Sequence, residues 1–241
     1  MPSPFLTAQW RRLVLFNYAI DPDALLPYLP AHTEPDEWNG TCYVSLVGFM
    51  FLDTRLKGVA IPWHRTFEEI NLRFYVQRRD PVTEEKKRGV VFIREIVPKR
   101  AIALVANALY RERYRMHPMW HLWQEKDGEM TVEYAWKQTG CWQSFGVRAD
   151  MAATDLKEGS EAEFITEHYW GYARRDARYS VEYQVEHPRW QVYPIKAWHC
   201  EVDFGAVYGP AFGALNGAEP RSIFLAEGSE VAVLDRRIIS A

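Results

Sequence analysis

The stretch Gly89–Met116, GVVFIREIVPKRAIALVANALYRERYRM, contains the change of pattern that decides how this chain is built. Its first nine residues are mostly apolar and β-branched, which predicts a buried strand. From Pro98 to about Tyr114 the apolar residues recur at helical spacing, so a helix is expected to follow the strand directly. Lys99 and Arg100 would lie in the first turn, where unpaired N–H groups carry partial positive charge. The two cations therefore either turn to solvent or meet a bound carboxylate or phosphate.

Most of the remaining chain has the pattern of strands on either side of this stretch. Runs of apolar and alternating residues predict strands at Trp10–Tyr18, Cys42–Leu52, Phe67–Arg78, Met119–Gln124, Met130–Lys137, Trp142–Arg148, Tyr179–Glu186, Trp190–Tyr193 and Ala197–Phe204. A last hairpin is predicted from Ile223–Ala226 and Val231–Ile238, with its turn at Glu227-Gly228-Ser229. Two short helices are predicted at Asp21–Pro30, with Asp21 as N-cap, and at Ser160–Tyr169, with Ser160 and Glu163 as a capping box.

This order of elements predicts one domain over residues 1–241. About ten strands with two or three helices indicate an α+β fold, mainly antiparallel β and barrel-like. No low-complexity linker or internal repeat divides the chain. The aromatic content of 15 % is high, and it suits either a β-rich core or an aromatic-lined ligand cavity, two interpretations that are compatible.

Composition excludes several classes of function. The net charge of −3 shows no basic surface for nucleic acid, and no apolar run is long enough to cross a bilayer. Three widely separated cysteines have no CxxC spacing, which disfavours a disulfide framework or a zinc site. His117 and His121 are four residues apart, but Pro118 between them argues against a helical metal site, and no metal is predicted. Without a secretion signal, the expected location is the cytoplasm.

The strand Phe67–Arg78 carries the best group of polar residues. Glu69, Asn71, Arg73 and Tyr75 alternate with apolar residues and so share one face of the strand. If this face lines a cavity, the planar guanidinium of Arg73 could hold a carboxylate. The opposite, apolar face is the better candidate for the core. Periodicity alone does not decide which of the two faces points inward.

Several segments resemble a bacterial family of unestablished function, DUF2071, typified by the YqjF-like proteins. They are WRRLVLFNYAIDPDALLPYLP, WNGTCYVSLVGFMF, FEEINLRFYV, GVVFIREIVPKRAIALVANALYRERY, FITEHYWGYAR and VEHPRWQVYPI, and they cover nearly the whole chain. The family is grouped with the acetoacetate decarboxylase-like superfamily. The resemblance therefore implies an acetoacetate decarboxylase-like β-barrel around an internal cavity, with a few peripheral helices.

The same resemblance implies candidate catalytic residues. In acetoacetate decarboxylases a lysine after a proline forms a Schiff base with the keto acid, and a second cation lowers its pKa. REIVPKR is similar to that motif, which places Lys99 at the Schiff-base position and Arg100 at the second lysine. Glu69 is similar to a cavity glutamate. The motif is shorter between Glu95 and Pro98 than in the decarboxylases, and Arg100 is not lysine.

Each candidate has a structural alternative. Lys99 is either an amine with a depressed pKa, produced by burial, Arg100 and the helix N-terminus, or a solvated first-turn lysine. Arg94 and Glu95 point to opposite faces of their strand, so at most one of them enters the barrel. Glu95 either takes part in proton transfer or forms a buried ion pair with Arg73 or Arg100.

Two functions follow as expectations. The first is a small-molecule binding protein that accepts an organic acid or carbonyl compound in its barrel, with Arg73, Arg100, Tyr75 and Glu95 as binding residues. The alternative is a Schiff-base-forming, decarboxylase- or lyase-like enzyme that acts on a keto acid through Lys99, with Glu69 as acid–base. Neither requires a cofactor, and a homo-oligomer is compatible with both.

Overall fold

The fold was analysed in a computed structural model that describes residues 4–110 and 112–240. The strands are β1 (Leu6–Ala19), β2 (Glu34–Pro35), β3 (Glu37–Trp38), β4 (Thr41–Leu56), β5 (Val59–Ala60), β6 (Phe67–Arg79), β7 (Lys86–Val97), β8 (Tyr114–Met116), β9 (Met119–Lys126), β10 (Glu129–Gln138), β11 (Cys141–Asp150), β12 (Thr154–Asp155), β13 (Trp170–Arg174), β14 (Ser180–Glu186), β15 (Gln191–Tyr193), β16 (Ile195–Glu201), β17 (Ser222–Val233) and β18 (Arg237–Ile239). The α-helices are α1 (Arg100–Tyr110), α2 (Glu161–Thr166) and α3 (Phe204–Tyr208), with 3₁₀ segments at Pro22–Ala24, Leu26–Tyr28 and Pro210–Leu215.

The larger sheet curls until its strands form a ring. Its central order is β17-β1-β4-β6-β7-β13-β14, and β14 pairs in turn with β17 through Val185 opposite Val233 and Glu186 opposite Ala232. All of these pairings are antiparallel except that between β7 and β13. The closing ladder is short, so the barrel is loose at that seam. The predicted α+β fold, mainly antiparallel β with few helices, is confirmed.

A second sheet covers part of the outside of this barrel. Its order is β16-β11-β10-β9, and its inner face supplies Tyr134, Trp136 and Phe145 to the main core cluster. Gly48 on β4 lies directly beneath it, since a Cβ atom there would meet the Tyr134 ring at 2.7 Å. The absence of a side chain at this position lets the two sheets approach closely.

Both faces of β6 are buried as a result. Ile70, Leu72 and Phe74 belong to the apolar cluster between the barrel and the second sheet. Glu69 and Arg73 point the other way, into the barrel, and are 3 % and 8 % exposed. The apolar face is in the core, as its composition suggested, yet the polar face is not solvated, because β6 is a central strand of a closed layer.

The predicted hairpin at Glu227-Gly228-Ser229 is wrong. β17 continues through these residues and pairs with β1 from Leu6 opposite Val233 to Asn17 opposite Ser222. Gly228 has φ +80°, and a Cβ atom there would lie 2.0 Å from the Trp10 carbonyl oxygen. The glycine therefore serves a close approach between two strands, next to a bulge in β1, rather than a chain reversal.

The predicted helices are shorter than expected. Asp21–Pro30 contains two 3₁₀ segments instead of one helix, although Asp21 caps the first by accepting a hydrogen bond from the Asp23 N–H at 2.9 Å. Pro27 has no N–H to continue a helix. In the next helix Ser160 is confirmed as the N-cap of α2. Helix α1 ends at Tyr110, so Tyr114 begins β8 instead of closing the helix.

Among the described residues, none of the helices combines the length and the apolar character that crossing a membrane would take.

Candidate functional site

The barrel contains a partly open cavity of about 230 Å³. Aromatic and aliphatic side chains form most of its wall, including Trp10, Phe49, Phe51, Phe67, Phe92 and Trp190. Polar side chains also line the wall, and they are Thr54, His64, Glu69, Asn71, Arg73, Glu95, Glu112, Tyr114, Thr166, His168, Tyr183 and His187. A hollow with mostly apolar walls and a few convergent polar groups is the usual form of a small-molecule site.

Neighbouring strands β6 and β7 place two carboxyl groups side by side. Asn71 lies opposite Glu95 in the ladder, and Glu69 lies two residues before Asn71 on the same face. The Asn71 amide donates to Glu69 Oε1 at 3.2 Å, and the Tyr114 hydroxyl donates to Glu69 Oε2 at 3.0 Å. Glu95 is 1 % exposed, and its Oε2 atom has no hydrogen-bond partner within the described part of the chain.

A third carboxyl group comes from the segment after α1. Glu112 Oε1 accepts a hydrogen bond of 2.9 Å from the Tyr183 hydroxyl, and Glu112 is 8 % exposed. The charges that act on Glu95 include those of Glu112 and Glu69, so the three carboxyl groups form one interacting cluster. The ion pair with an arginine, one of the alternatives for Glu95, is therefore not its main electrostatic contact.

Burial controls the protonation of this cluster. Removal from water raises the pKa of Glu69 to about 7 and that of Glu112 to about 8, and it raises the pKa of Glu95 well above its usual range. The tyrosine hydroxyls work against this effect by donating to Glu69 and Glu112. Near neutral pH the cluster therefore holds protons, and a protonated carboxyl group can donate a hydrogen bond.

Arg73 contributes the positive charge of the cavity wall. Its Nη2 donates to the Ile165 carbonyl at 3.4 Å, and its guanidinium carbon lies 5.6 Å from the centre of the Tyr75 ring. Its Nε atom is buried and has no hydrogen-bond partner in the described residues. Tyr75 itself is not in the cavity wall, because its hydroxyl oxygen lies 2.6 Å from Ser45 Oγ in a buried hydrogen bond.

Lys99 and Arg100 lie apart from this group. Lys99 Nζ donates a hydrogen bond to the backbone carbonyl of Trp63, a residue that is 87 % exposed. Arg100 is exposed at the start of α1. Neither residue is part of the cavity wall described above.

The structure thus brings together Glu69, Arg73 and Glu95 from the sequence-predicted set, and leaves Lys99, Arg100 and Tyr75 outside the wall. Sequence reasoning missed Glu112, Tyr183 and His168 as cavity residues. Glu112 was assigned to the end of the helix, and its position in a charged run, RER, gave no sign of burial. His168 lies near the end of the predicted helix Ser160–Tyr169 and in the segment FITEHYWGYAR, but neither the helix pattern nor the resemblance marked it as a cavity residue.

The histidine pair His117 and His121 makes separate contacts. The His117 Nδ1 atom lies 3.0 Å from the Lys137 carbonyl oxygen, and His121 Nδ1 lies 2.7 Å from Glu68 Oε1. Across residues 4–110 and 112–240, no three His, Cys, Asp or Glu side chains are grouped so that they could hold a metal ion.

The fold matches those of acetoacetate decarboxylase-like enzymes. An acetoacetate decarboxylase-like enzyme from Sphingomonas wittichii RW1 is similar over 100 % of this chain and 95 % of that one, with a TM-score of 0.67 and 11 % identity. The enduracididine biosynthesis enzyme MppR complexed with pyruvate is similar over 100 % of this chain and 91 % of that one, with a TM-score of 0.65 and 14 % identity. At these identities the likeness establishes the fold class alone.

Sequence comparison then gives the family. The model of DUF2071, described as an uncharacterized conserved protein, matches residues 7–230. The chain therefore belongs to the DUF2071 family. The uncharacterized protein YqjF of Bacillus subtilis is 28 % identical over 130 residues, which are 54 % of this chain and 50 % of that protein. The match thus spans about half the length of this curated relative.

Proposed function

We propose that this protein binds a small organic acid or carbonyl compound inside the barrel. The observation that carries the proposal is a hollow of about 230 Å³ in whose wall buried polar atoms, Arg73 Nε and Glu95 Oε2, have no partner among the described residues. A buried polar group without a partner costs about 1–3 kcal/mol. A ligand whose oxygen atoms reach these groups would remove that cost.

The charges of the wall favour oxygen-rich ligands. Arg73 can donate to a carboxylate through its planar guanidinium group. The carboxyl cluster repels such a ligand less than three ionised carboxylates would near neutral pH, because burial raises the pKa of Glu69 to about 7 and that of Glu112 to about 8. The ligand complexed in the MppR structure is pyruvate, a 2-oxo acid of this chemical class.

Calorimetric titration tests the proposal. The titrants are pyruvate, acetoacetate and, as an uncharged analogue, pyruvamide. We expect pyruvate or acetoacetate to bind, and we expect Arg73→Met to weaken binding by at least roughly tenfold, because a buried charged donor is lost.

The matched control is Arg79→Met, at the exposed end of the same strand. It removes an equal charge outside the cavity and should leave the affinity unchanged. If the unaltered protein binds none of the three titrants, or if Arg73→Met binds them as well as the unaltered protein, the proposed function is wrong.

The Schiff-base alternative has weaker support. A lysine that forms a Schiff base must reach the ligand, and the Lys99 ammonium instead donates to the Trp63 carbonyl near the surface. The alternative stays a prediction with a direct test, which is borohydride reduction in the presence of acetoacetate followed by peptide mass analysis. A reduced adduct on Lys99 would establish it, and Lys99→Arg is the control that cannot form one.

A further inference from the structure

His168 follows helix α2 and lies in the cavity wall beside Arg73. It is 7 % exposed, its ring centre is 4.6 Å from that of Tyr75, and Tyr75 also lies under the Arg73 guanidinium. Its Nδ1 atom is buried without a hydrogen-bond partner in the described residues. The cavity wall thus contains three buried nitrogen atoms without a hydrogen-bond partner in the described residues, Trp10 Nε1, Arg73 Nε and His168 Nδ1, and the last two belong to side chains that pack on Tyr75.

The other ring nitrogen of His168 is held by a fixed pair of charges. Arg88 Nη2 lies 3.2 Å from His168 Nε2, while the nearest Asp36 oxygen lies 3.5 Å away. Asp36 Oδ2 already accepts a hydrogen bond of 2.6 Å from Arg88 Nε. A guanidinium group has only donors, so a hydrogen bond from Arg88 requires Nε2 to be the acceptor. The single proton of a neutral imidazole then belongs to Nδ1.

The surroundings keep this ring neutral. Burial, together with the positive charges of Arg88 and Arg73, lowers the pKa of His168 to about 4, although the hydrogen bond and the charge of Asp36 act in the opposite direction. His187, the next histidine of the wall, is half-buried, and this partial burial lowers its pKa too. No second cation therefore forms beside Arg73, and the protonated nitrogen of the neutral ring can act as a hydrogen-bond donor.

We propose that His168 Nδ1–H and Arg73 together form the part of the cavity that receives a ligand oxygen, either of a carboxylate or of a carbonyl group. The proposal rests on the proposed function, and it specifies which part of the cavity wall binds the oxygen atoms of the ligand. Asp36 and Arg88 act as positioning residues, because they set the imidazole tautomer without lining the hollow. The carboxyl cluster on β6 and β7 then faces the remainder of the ligand.

The tautomer is measured first, by long-range ¹H–¹⁵N correlation spectra of the unaltered protein labelled with ¹⁵N-histidine, with the His168 signals assigned by their loss in His168→Phe. We expect the protonated nitrogen of His168 to be Nδ1, with no change between about pH 5.5 and 8, since its pKa is far below that range. A proton on Nε2 would make Nδ1 an acceptor and would overturn the proposal.

Pyruvate affinity is measured next. We expect His168→Phe to weaken binding by at least roughly tenfold, and His168→Asn, which keeps a donor near the Nδ1 position, to stay within about threefold of the unaltered protein. His117→Phe, a change at a histidine outside the cavity, is the control. Unaltered pyruvate affinity in His168→Phe overturns this inference alone, whereas the absence of any ligand binding in the unaltered protein overturns the proposed function as well.

Discussion

The two faces of β6 show how differently one strand can be buried. On one face Ile70, Leu72 and Phe74 pack against the second sheet, and each is 0 % exposed. On the other face Glu69 and Arg73 are nearly as buried, yet they border a hollow and have charged or unpartnered neighbours. The first face is packed as tightly as a protein interior usually is, which stabilises the fold. The second keeps polar groups out of water at a cost to stability, which is typical of a functional site.

The largest expected effect is on the packed face. Phe74→Ala should lower the free energy of unfolding by about 3–5 kcal/mol, because it leaves a void between two sheets that cannot close. Phe92→Ala, in the wall of the hollow, should cost less, since its ring already borders open space. Urea unfolding of both variants measures the difference, and an equal or larger loss in Phe92→Ala would contradict this view of the two faces.

A smaller effect is expected from pH on the carboxyl cluster. Burial raises the pKa of Glu69 to about 7 and that of Glu112 to about 8, against an ordinary value of 4.5. The folded protein then holds protons that the unfolded chain has lost, so the free energy of unfolding falls as pH rises. The fall is at most about 2 kcal/mol per carboxyl group between about pH 6.5 and 8.

The variant Glu112→Gln should flatten this decline, because an amide does not titrate. Glu186→Gln, a change at an exposed position at the end of β14, should show the same decline of unfolding free energy with pH as the unaltered protein. The comparison is made above pH 6.5, since below it the lowered pKa of His168 adds a contribution of opposite sign to the change of stability with pH. Urea unfolding at several pH values measures the slopes, and equal slopes for all three proteins would show that Glu112 is not protonated in the fold.

The smallest effect is expected at Lys99, which belongs to neither face. Lys99→Met should change the free energy of unfolding by no more than about 0.5 kcal/mol, as is usual for a residue near the surface. It should also leave pyruvate affinity unchanged, because Lys99 lies outside the cavity wall. Thermal unfolding and calorimetry measure both values, and a large loss of affinity would show that Lys99 reaches the ligand.

The local sequence pattern was sufficient to predict many of the strands. Alternation in Phe67–Arg78 assigned Glu69, Asn71, Arg73 and Tyr75 to one face, because successive side chains of a strand point in opposite directions. The wrong prediction of a turn at Gly228 also comes from local pattern, since a glycine between two apolar runs has the pattern of a turn. Only its neighbour across the ladder, the Trp10 carbonyl, distinguishes a close strand contact from a chain reversal.

The sequence by itself determined which side chains share a face of each strand and, through its resemblance, the family and the class of barrel. The tertiary structure decided which faces are enclosed. The second sheet covers the apolar face of β6, and closure of the ring encloses the polar face. Closure also brings together residues that are far apart in the sequence. Glu112 lines the same cavity as Glu69, 43 positions away, and His168 lines it with Arg73, 95 positions away. Such contacts depend on how strands pair around the ring, and no local spacing encodes them.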